Sequence, residues 1–599
     1  MIDYNIIPIF STLLSIILFI GCYEIGKILS LRLKLNNILY SITYIEFQYI
    51  SFTIILLLLI LFPVLAFTNS ADIILKIFSL ILILFGIKFL LNFRRLIRRI
   101  DFSNKDKFFK LYLLFLLLYF FLALSPLTSA DILDYHNGVA QNILRFNQYN
   151  FFPEWFTSMQ SGTGEILISL GFSVGAEQFG SLIQFSSILS ISGIILKFGK
   201  INNIFPSRYL LILTVISCPI LIFLLSGNKP QIFYSSLMFL AFILNFTKQP
   251  KRNDNYIIYL LINLLICLCV MGKFSFNLIG FIVWVYSTIN FVNKKNYLKL
   301  LSIPLLVFLF LYFPFLYWKF SNLGGNFLSY ILSPFPLHLP GYENFLSHNK
   351  GSQEIPFPKF LIYTSLSRIT EFLAANTILF IILLICSKKN KKILPILLMV
   401  TIFVLISNIY ASPSARYYLD VILLMTAGIL MIDGNKYLKN LKYIFYPQIL
   451  ICLTILAYST FNFLPGAFFS SQYEKIKHKH AYMYSGFEWL NKTIPNGSSV
   501  LIVNRPISLY KNFAVSGNFN YFTNDKDAVY YKKLIKKYAL DYIVYFGNEP
   551  KFFHLTNCTS GLYMKKDKVG FHATRNPFNR GGYYNGYIYN FDSSKLPNC

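Results

Sequence analysis

The chain has 599 residues and is 55% hydrophobic, 18% aromatic and only 13% charged, against about 25% charged in an ordinary soluble domain. That composition excludes a water-soluble globular protein, because so apolar a chain would expose large sticky patches to water. The formal net charge is +29, yet the basic residues sit in short loops between apolar blocks, which is a membrane-topology signal and argues against nucleic-acid binding.

Apolar blocks of about 18–22 residues, the length that crosses a bilayer core, fall at 6–29, 49–67, 73–93, 108–125, 178–198, 207–225, 230–247, 255–272, 274–292, 299–319, 364–386, 391–409, 413–432 and 443–464. The expected fold is therefore an all-α polytopic membrane protein with about 14 spanning helices. The first block has neither a basic leader nor a small-residue cleavage site and reads as a retained helix. Every second loop is basic, as in Arg94, Arg95, Arg98 and Arg99, in Lys248, Lys251 and Arg252, and in Lys388, Lys389, Lys391 and Lys392. Positive-inside places these loops in the cytoplasm of an inner (plasma) membrane and both termini outside it. The chain divides into an N-terminal three-helix extension at 1–107, a transmembrane core at 108–465 with long outer loops at 126–177 and 320–363, and an extracytoplasmic domain at 466–599.

Within the first outer loop, Leu133 to Phe146 spaces Tyr135, Val139, Ile143 and Phe146 by three or four, the pattern of one amphipathic helix lying in the membrane interface. Glu165 to Gly175 is apolar but too short to span. The tail predicts a small α/β domain: Ser499 to Val503 and Asp541 to Phe546 read as strands, Asp525 to Leu540 as a helix, and the Gly-, Asn- and Tyr-rich end as irregular. Six of the eight cysteines lie in apolar blocks, where cysteine behaves as a small hydrophobe. Cys558 and Cys599 in the tail are either a disulfide or two free thiols.

Two carboxylates and a histidine, Asp131, Asp134 and His136, follow directly after a span. A carboxylate there can act as a general base, and Asp131 equally suits a helix N-cap. Lys229 and Lys273 stand in outer turns against the positive-inside pattern, where each either meets an anion or snorkels. Arg416, followed by Tyr417, stands where a span enters from outside; its guanidinium either grips a phosphate or snorkels. His136, His338 and His348 share the outer side with Glu154, Glu165 and Glu343, which leaves a divalent metal open without any ligand spacing that points to one. Arg368 and Glu371 read as an ion pair.

Asp131 just after a span, then Tyr135 within an amphipathic helix, resembles the first periplasmic loop of the GT-C glycosyltransferases, among them protein O-mannosyltransferases and the aminoarabinose transferase of lipid A. Their motif is commonly Asp-Glu-x-x-Tyr; here Ile132 replaces the Glu and Asp134 is an additional acid. The short helix from Glu165 and the span after it follow the same layout. The resemblance implies a GT-C-like core and a glycosyltransferase with Asp131 as the base; Asp134, a second catalytic candidate from its place beside Asp131, has no counterpart at the family's catalytic position. It implies a polyprenyl-phosphate-linked sugar as donor and a glycan, lipid or protein as acceptor. Substrate would be held by Tyr135, His136, Glu165, Lys229, Lys273, Arg416 and Tyr417, with Arg416 at the donor phosphate. A flippase for lipid-linked saccharides and an O-antigen polymerase or ligase share this topology; the lack of an internal repeat disfavours an inverted-repeat transporter.

Overall fold

The computed structural model describes residues 7–92, 107–150, 152, 155–201, 208–246, 252–291, 297–334, 378–387, 393–410, 415–431, 435–503, 507–516, 536–547, 559–575 and 581–592. Most of the 320–363 loop, the Arg368/Glu371 pair, Glu154, His338, Glu343, His348, Cys558 and Cys599 lie outside the described residues.

The protein is a helical membrane protein with a small sheet near its C-terminal end. Eight described helices are long and apolar enough to cross a bilayer, from Pro8–Arg32 to Lys442–Ala467. The remaining apolar blocks carry shorter helices, such as Gln231–Leu244 and Leu419–Leu430, whose side chains are all buried. Their neighbours, not lipid, surround them. The block at 207–225 breaks into Arg208–Ile216 and Ile220–Leu225 because Pro219 has no N–H to continue the ladder. Side chains from other helices take up the freed carbonyls: Tyr119 Oη donates to the Ile216 carbonyl and Cys452 Sγ to the Ser217 carbonyl, both at 2.6 Å. In a membrane such a break is tolerated only when it is satisfied in this way.

The N-terminal helices are built into the core. Gly21 lies directly against the Leu82 carbonyl, so the helices Pro8–Arg32 and Ala71–Asn92 meet backbone to backbone, a contact any side chain at Gly21 would block. Ser11 Oγ donates to Gln178 Oε1 at 3.0 Å, Thr12 Oγ1 to the Ala467 carbonyl at 2.9 Å, and Ser190 Oγ to Gln48 Oε1 at 2.7 Å.

The tail carries a five-stranded sheet: β1 Val500–Ile502, β2 Ala514–Ser516, β3 Tyr542–Gly547, β4 Thr559–His572 and β5 Gly582–Phe591. Its order is β2-β1-β3-β5-β4, parallel among the first three and antiparallel from β3 onward. The Gly-, Asn- and Tyr-rich end, expected to be irregular, supplies β5. Glycine and asparagine weaken the strand signal there, but Tyr583, Tyr587 and Tyr589 keep period two and favour strand.

This domain sits on the first outer loop. Arg575 donates from Nε to Thr128 Oγ1 and from Nη1 to Ser125 Oγ, both at 2.8 Å, and from Nη2 to the Pro126 carbonyl. Ser508 Oγ donates to the Leu133 carbonyl. Lys477 Nζ and Tyr473 Oη each reach the Glu177 carboxylate at 2.9 Å. The helix expected to lie in the membrane interface is accordingly buried on all sides from Ile132 to Leu144, under the tail domain and against the bundle.

Candidate functional site

Helical backbone begins at Ala130 and widens into a π turn over Ile132–His136 before the α-helix Asn137–Phe146. Such turns are uncommon and concentrate at functional sites. Asp131 already has helical dihedrals (φ −58°, ψ −38°) and its side chain makes no capping bond, so the capping alternative does not hold. Its carboxylate faces two cations. Lys229 Nζ reaches Asp131 Oδ2 at 2.7 Å and Arg416 Nη1 reaches the same oxygen at 3.0 Å.

Each cation is placed by a break in a helix. Lys229 occupies the turn that Pro230 imposes before Gln231–Leu244, and it is only 1% exposed. Arg416 lies in the 3-10 turn Ala415–Tyr418 that opens Leu419–Leu430; its Nη2 donates to Tyr417 Oη at 3.1 Å. Lys273 is in extended backbone just after Arg252–Gly272, buried, and donates to Gln231 Oε1 at 2.8 Å. Among the described residues no carboxylate pairs with Lys273. Burial first, then the Lys229 and Arg416 charges, push the Lys273 ammonium well below its usual range. A buried cation satisfied only by a neutral amide is costly unless an anion arrives beside it.

These groups form the polar end of a cavity of about 1150 Å³. Asp131, Tyr135, Gln160, Lys273, Arg416 and Tyr417 line that end. The rest is mostly apolar, with Val270, Phe281, Trp284, Leu305 and Phe308 contributed by the helices Arg252–Gly272, Asn277–Phe291 and Tyr297–Val307 and by the π turn Phe308–Tyr312; Asn263, Ser275, Asn277 and Ser407 are the polar residues among them. Pro304 removes a backbone donor one turn before that π turn. Phe281 and Leu305 remain well exposed, so the apolar end is not closed over.

Asp134, His136 and Glu165 lie behind this wall and do not line the cavity. Asp134 is fully buried; its carboxylate accepts Trp155 Nε1 at 3.3 Å and Thr157 Oγ1 at 3.0 Å. His136 Nδ1 and Glu165 Oε1 are 2.6 Å apart, and Glu165 Oε2 accepts the Gly162 N–H at 2.9 Å. Burial pushes the Glu165 carboxyl up to about 8, against the pull of the Gly162 bond. Burial and the nearby lysines hold the His136 imidazole well below its usual range. Gly162 lies against the Met271 and Gly272 carbonyls, where a Cβ has no room, and the Thr163 N–H bonds the Met271 carbonyl at 3.1 Å. The Glu165 loop thereby braces the Asp131 helix on one side and the Lys273 turn on the other.

Among the described residues no three His, Cys, Asp or Glu side chains converge. A divalent cation at Asp131 would stand against Lys229 and Arg416, so these residues do not fit a metal. Sequence reasoning singled out the charged groups and missed Gln160, Gln231 and the apolar wall. Gln231, two residues after Lys229, carried the only local signal; the wall residues look like any other spanning helix.

The chain has no match among curated proteins. Among solved structures it is similar to ArnT from Cupriavidus metallidurans bound to undecaprenyl phosphate, at 10% identity over 80% of this chain and 97% of that one, with a TM-score of 0.47. It is similar also to ArnT of the same organism in the apo state, at 12% identity over 81% and 98%, with a TM-score of 0.47. The family model described as the DUF1420 N-terminal domain matches residues 89–477, well over half the chain, and the protein belongs to the DUF1420 family.

Proposed function

We propose that the protein is a membrane glycosyltransferase that moves a sugar from a polyprenyl-phosphate-linked donor to a cell-envelope acceptor at the outer membrane face. One observation carries the reading: Lys273, a buried cation with a neutral partner, stands with Arg416 at the polar end of a cavity whose remainder is mostly apolar. A ligand that satisfies both ends has an anionic head and a long hydrocarbon tail. The architecture in this reading has fourteen crossings, with both termini, the first outer loop and the tail domain on the extracytoplasmic side.

The chemistry follows from the same groups. The donor phosphate lies between Lys273 and Arg416, with Lys229 close by and Tyr417 supporting the guanidinium. The acceptor hydroxyl attacks the anomeric carbon while Asp131 takes its proton. The bond from that carbon to the phosphate oxygen breaks, and its electron pair leaves on the phosphate. The leaving group gains one negative charge as the bond breaks, and preorganised cations stabilise that charge more strongly in the transition state than before it. Displacement without a covalent intermediate inverts the anomeric centre. Asp134 fixes the helix through Trp155 and Thr157, a positioning role.

The deciding experiment is transfer of labelled sugar from a polyprenyl phosphate donor to envelope acceptors by purified protein in liposomes. Transfer by the wild type and none by Asp131→Asn, with equal insertion and yield, is expected. Movement of the intact donor between leaflets without bond cleavage would replace this reading by a flippase.

A further inference from the structure

Asp131 has two demands on it that cannot be met at once. It is to be a base, and in the ligand-free protein its Oδ2 is held by Lys229 at 2.7 Å and Arg416 at 3.0 Å. Charge-assisted bonds of this length, both made to Oδ2, stabilise the carboxylate as an anion and so weaken it as a base. The same guanidinium faces the cavity that would receive a phosphate. Within that pocket the carboxylate and a phosphate are alternative anions for the Arg416 guanidinium.

We infer that Asp131 is the resident anion of the empty donor site, and that a lipid-linked phosphate takes Arg416 from it, leaving the carboxylate with the buried Lys229 alone and so a stronger base only when donor is bound. The inference rests on the donor site proposed above and adds an order of events to it.

Three features of the geometry favour an exchange over simple addition. Lys273 remains uncompensated after Asp131 has taken the other two cations, so the empty site still attracts a second anion. Asp131 sits one residue before the π turn, a backbone irregularity of the kind that concentrates at functional sites. Arg416 lies in a 3-10 turn and is partly exposed, so its fork can turn from a carboxylate to a phosphate oxygen without leaving its place.

The exchange has a measurable signature, because removing the resident anion must tighten phosphate binding. Binding of farnesyl phosphate to the purified full chain in detergent is compared for the wild type, Asp131→Asn and Asp131→Ala, with inorganic phosphate and phosphatidylglycerol as further probes. Both neutral variants are expected to bind farnesyl phosphate about tenfold more tightly or better, which is about 1.4 kcal/mol, while Asp131→Glu gives no such gain. Inorganic phosphate is expected to bind far more weakly than farnesyl phosphate. Phosphatidylglycerol binding as tightly as farnesyl phosphate would assign the site to an ordinary lipid headgroup and overturn the inference. Two neutral variants guard against one failing to fold, and monodisperse elution identifies any that does. Equal or weaker binding in folded neutral variants would overturn the exchange and leave the donor site standing. No binding of farnesyl phosphate by any form, wild type included, would remove the donor site itself.

Discussion

Arg416 and Glu165 give the sharpest expectations for single side chains. A guanidinium offers a fork to a phosphate, whereas a lysine offers one point charge. Arg416→Lys is expected to weaken prenyl phosphate binding and Arg416→Ala to weaken it further, by about 1.5–3 kcal/mol, the range for a charge-assisted hydrogen bond. Calorimetric titration of the three proteins checks this, and equal affinities would mean that Arg416 only snorkels. Glu165 gives a pH effect with a definite sign. Its folded pKa is pushed up to about 8, from about 4.3 in an unfolded chain, so the folded state holds the proton longer and stability falls as pH rises through that interval. His136 is shifted down, so its contribution rises with pH and is complete by about 6.5. Of these two groups only Glu165 changes its contribution between about pH 6.5 and 8. The melting temperature of the wild type relative to that of Glu165→Gln is expected to fall across that window; parallel curves would show that Glu165 does not titrate there.

At the scale of elements, the helix carrying Asp131 is held from outside the bundle. Arg575 fills Ser125, Pro126 and Thr128 with hydrogen bonds and lies over the Phe463 ring at 4.3 Å. Arg575→Ala should loosen the tail domain from the first loop by about 3 kcal/mol, on the order of one or two charge-assisted hydrogen bonds. Faster proteolysis of the tail and a lower turnover with unchanged prenyl phosphate affinity are the readouts. Turnover equal to wild type would confine Arg575 to anchoring. The sequence made the first-loop helix legible through Tyr135, Val139, Ile143 and Phe146, and it made the short Glu165 helix legible through its length. It could not tell that Asp134, His136 and Asn137 on the polar face would meet partners instead of water. The alternation of a buried polar face and a solvated one is the same in sequence; only the residues folded against it, Trp155, Thr157 and Glu165 among them, distinguish the two.

At the scale of the molecule, topology is the test that everything else stands on. A reporter fused after Asp592 is expected to be active only on the extracytoplasmic side, and one fused near Lys389 only in the cytoplasm. A cytoplasmic tail would separate Arg575 from the first loop and would break the contacts described for both. The N-terminal helices illustrate a limit of reading blocks one at a time. They look like an appended unit because a boundary of basic residues follows them, yet Ser11, Thr12 and Gln48 bond residues of the core. Backbone-to-backbone packing at Gly21 uses a residue that has no apolar signature.

The sequence by itself determined the solvent, the helical class and the charged candidates. Apolar length, basic-loop alternation and misplaced cations such as Lys229 and Lys273 are local properties, set by the transfer of each segment from water to lipid. Tertiary structure alone decided which of those charges meet. Asp131, Lys229 and Arg416 are brought to one oxygen from positions separated by 98 and 285 residues, and nothing in the local spacing encodes that encounter. The apolar wall is the same case: Trp284, Leu305 and Phe308 suit lipid, a helix neighbour or a ligand tail equally well by composition. A cavity is a relation between helices, shaped here in part by the irregular stretch from Pro304 through the π turn Phe308–Tyr312 that lines it.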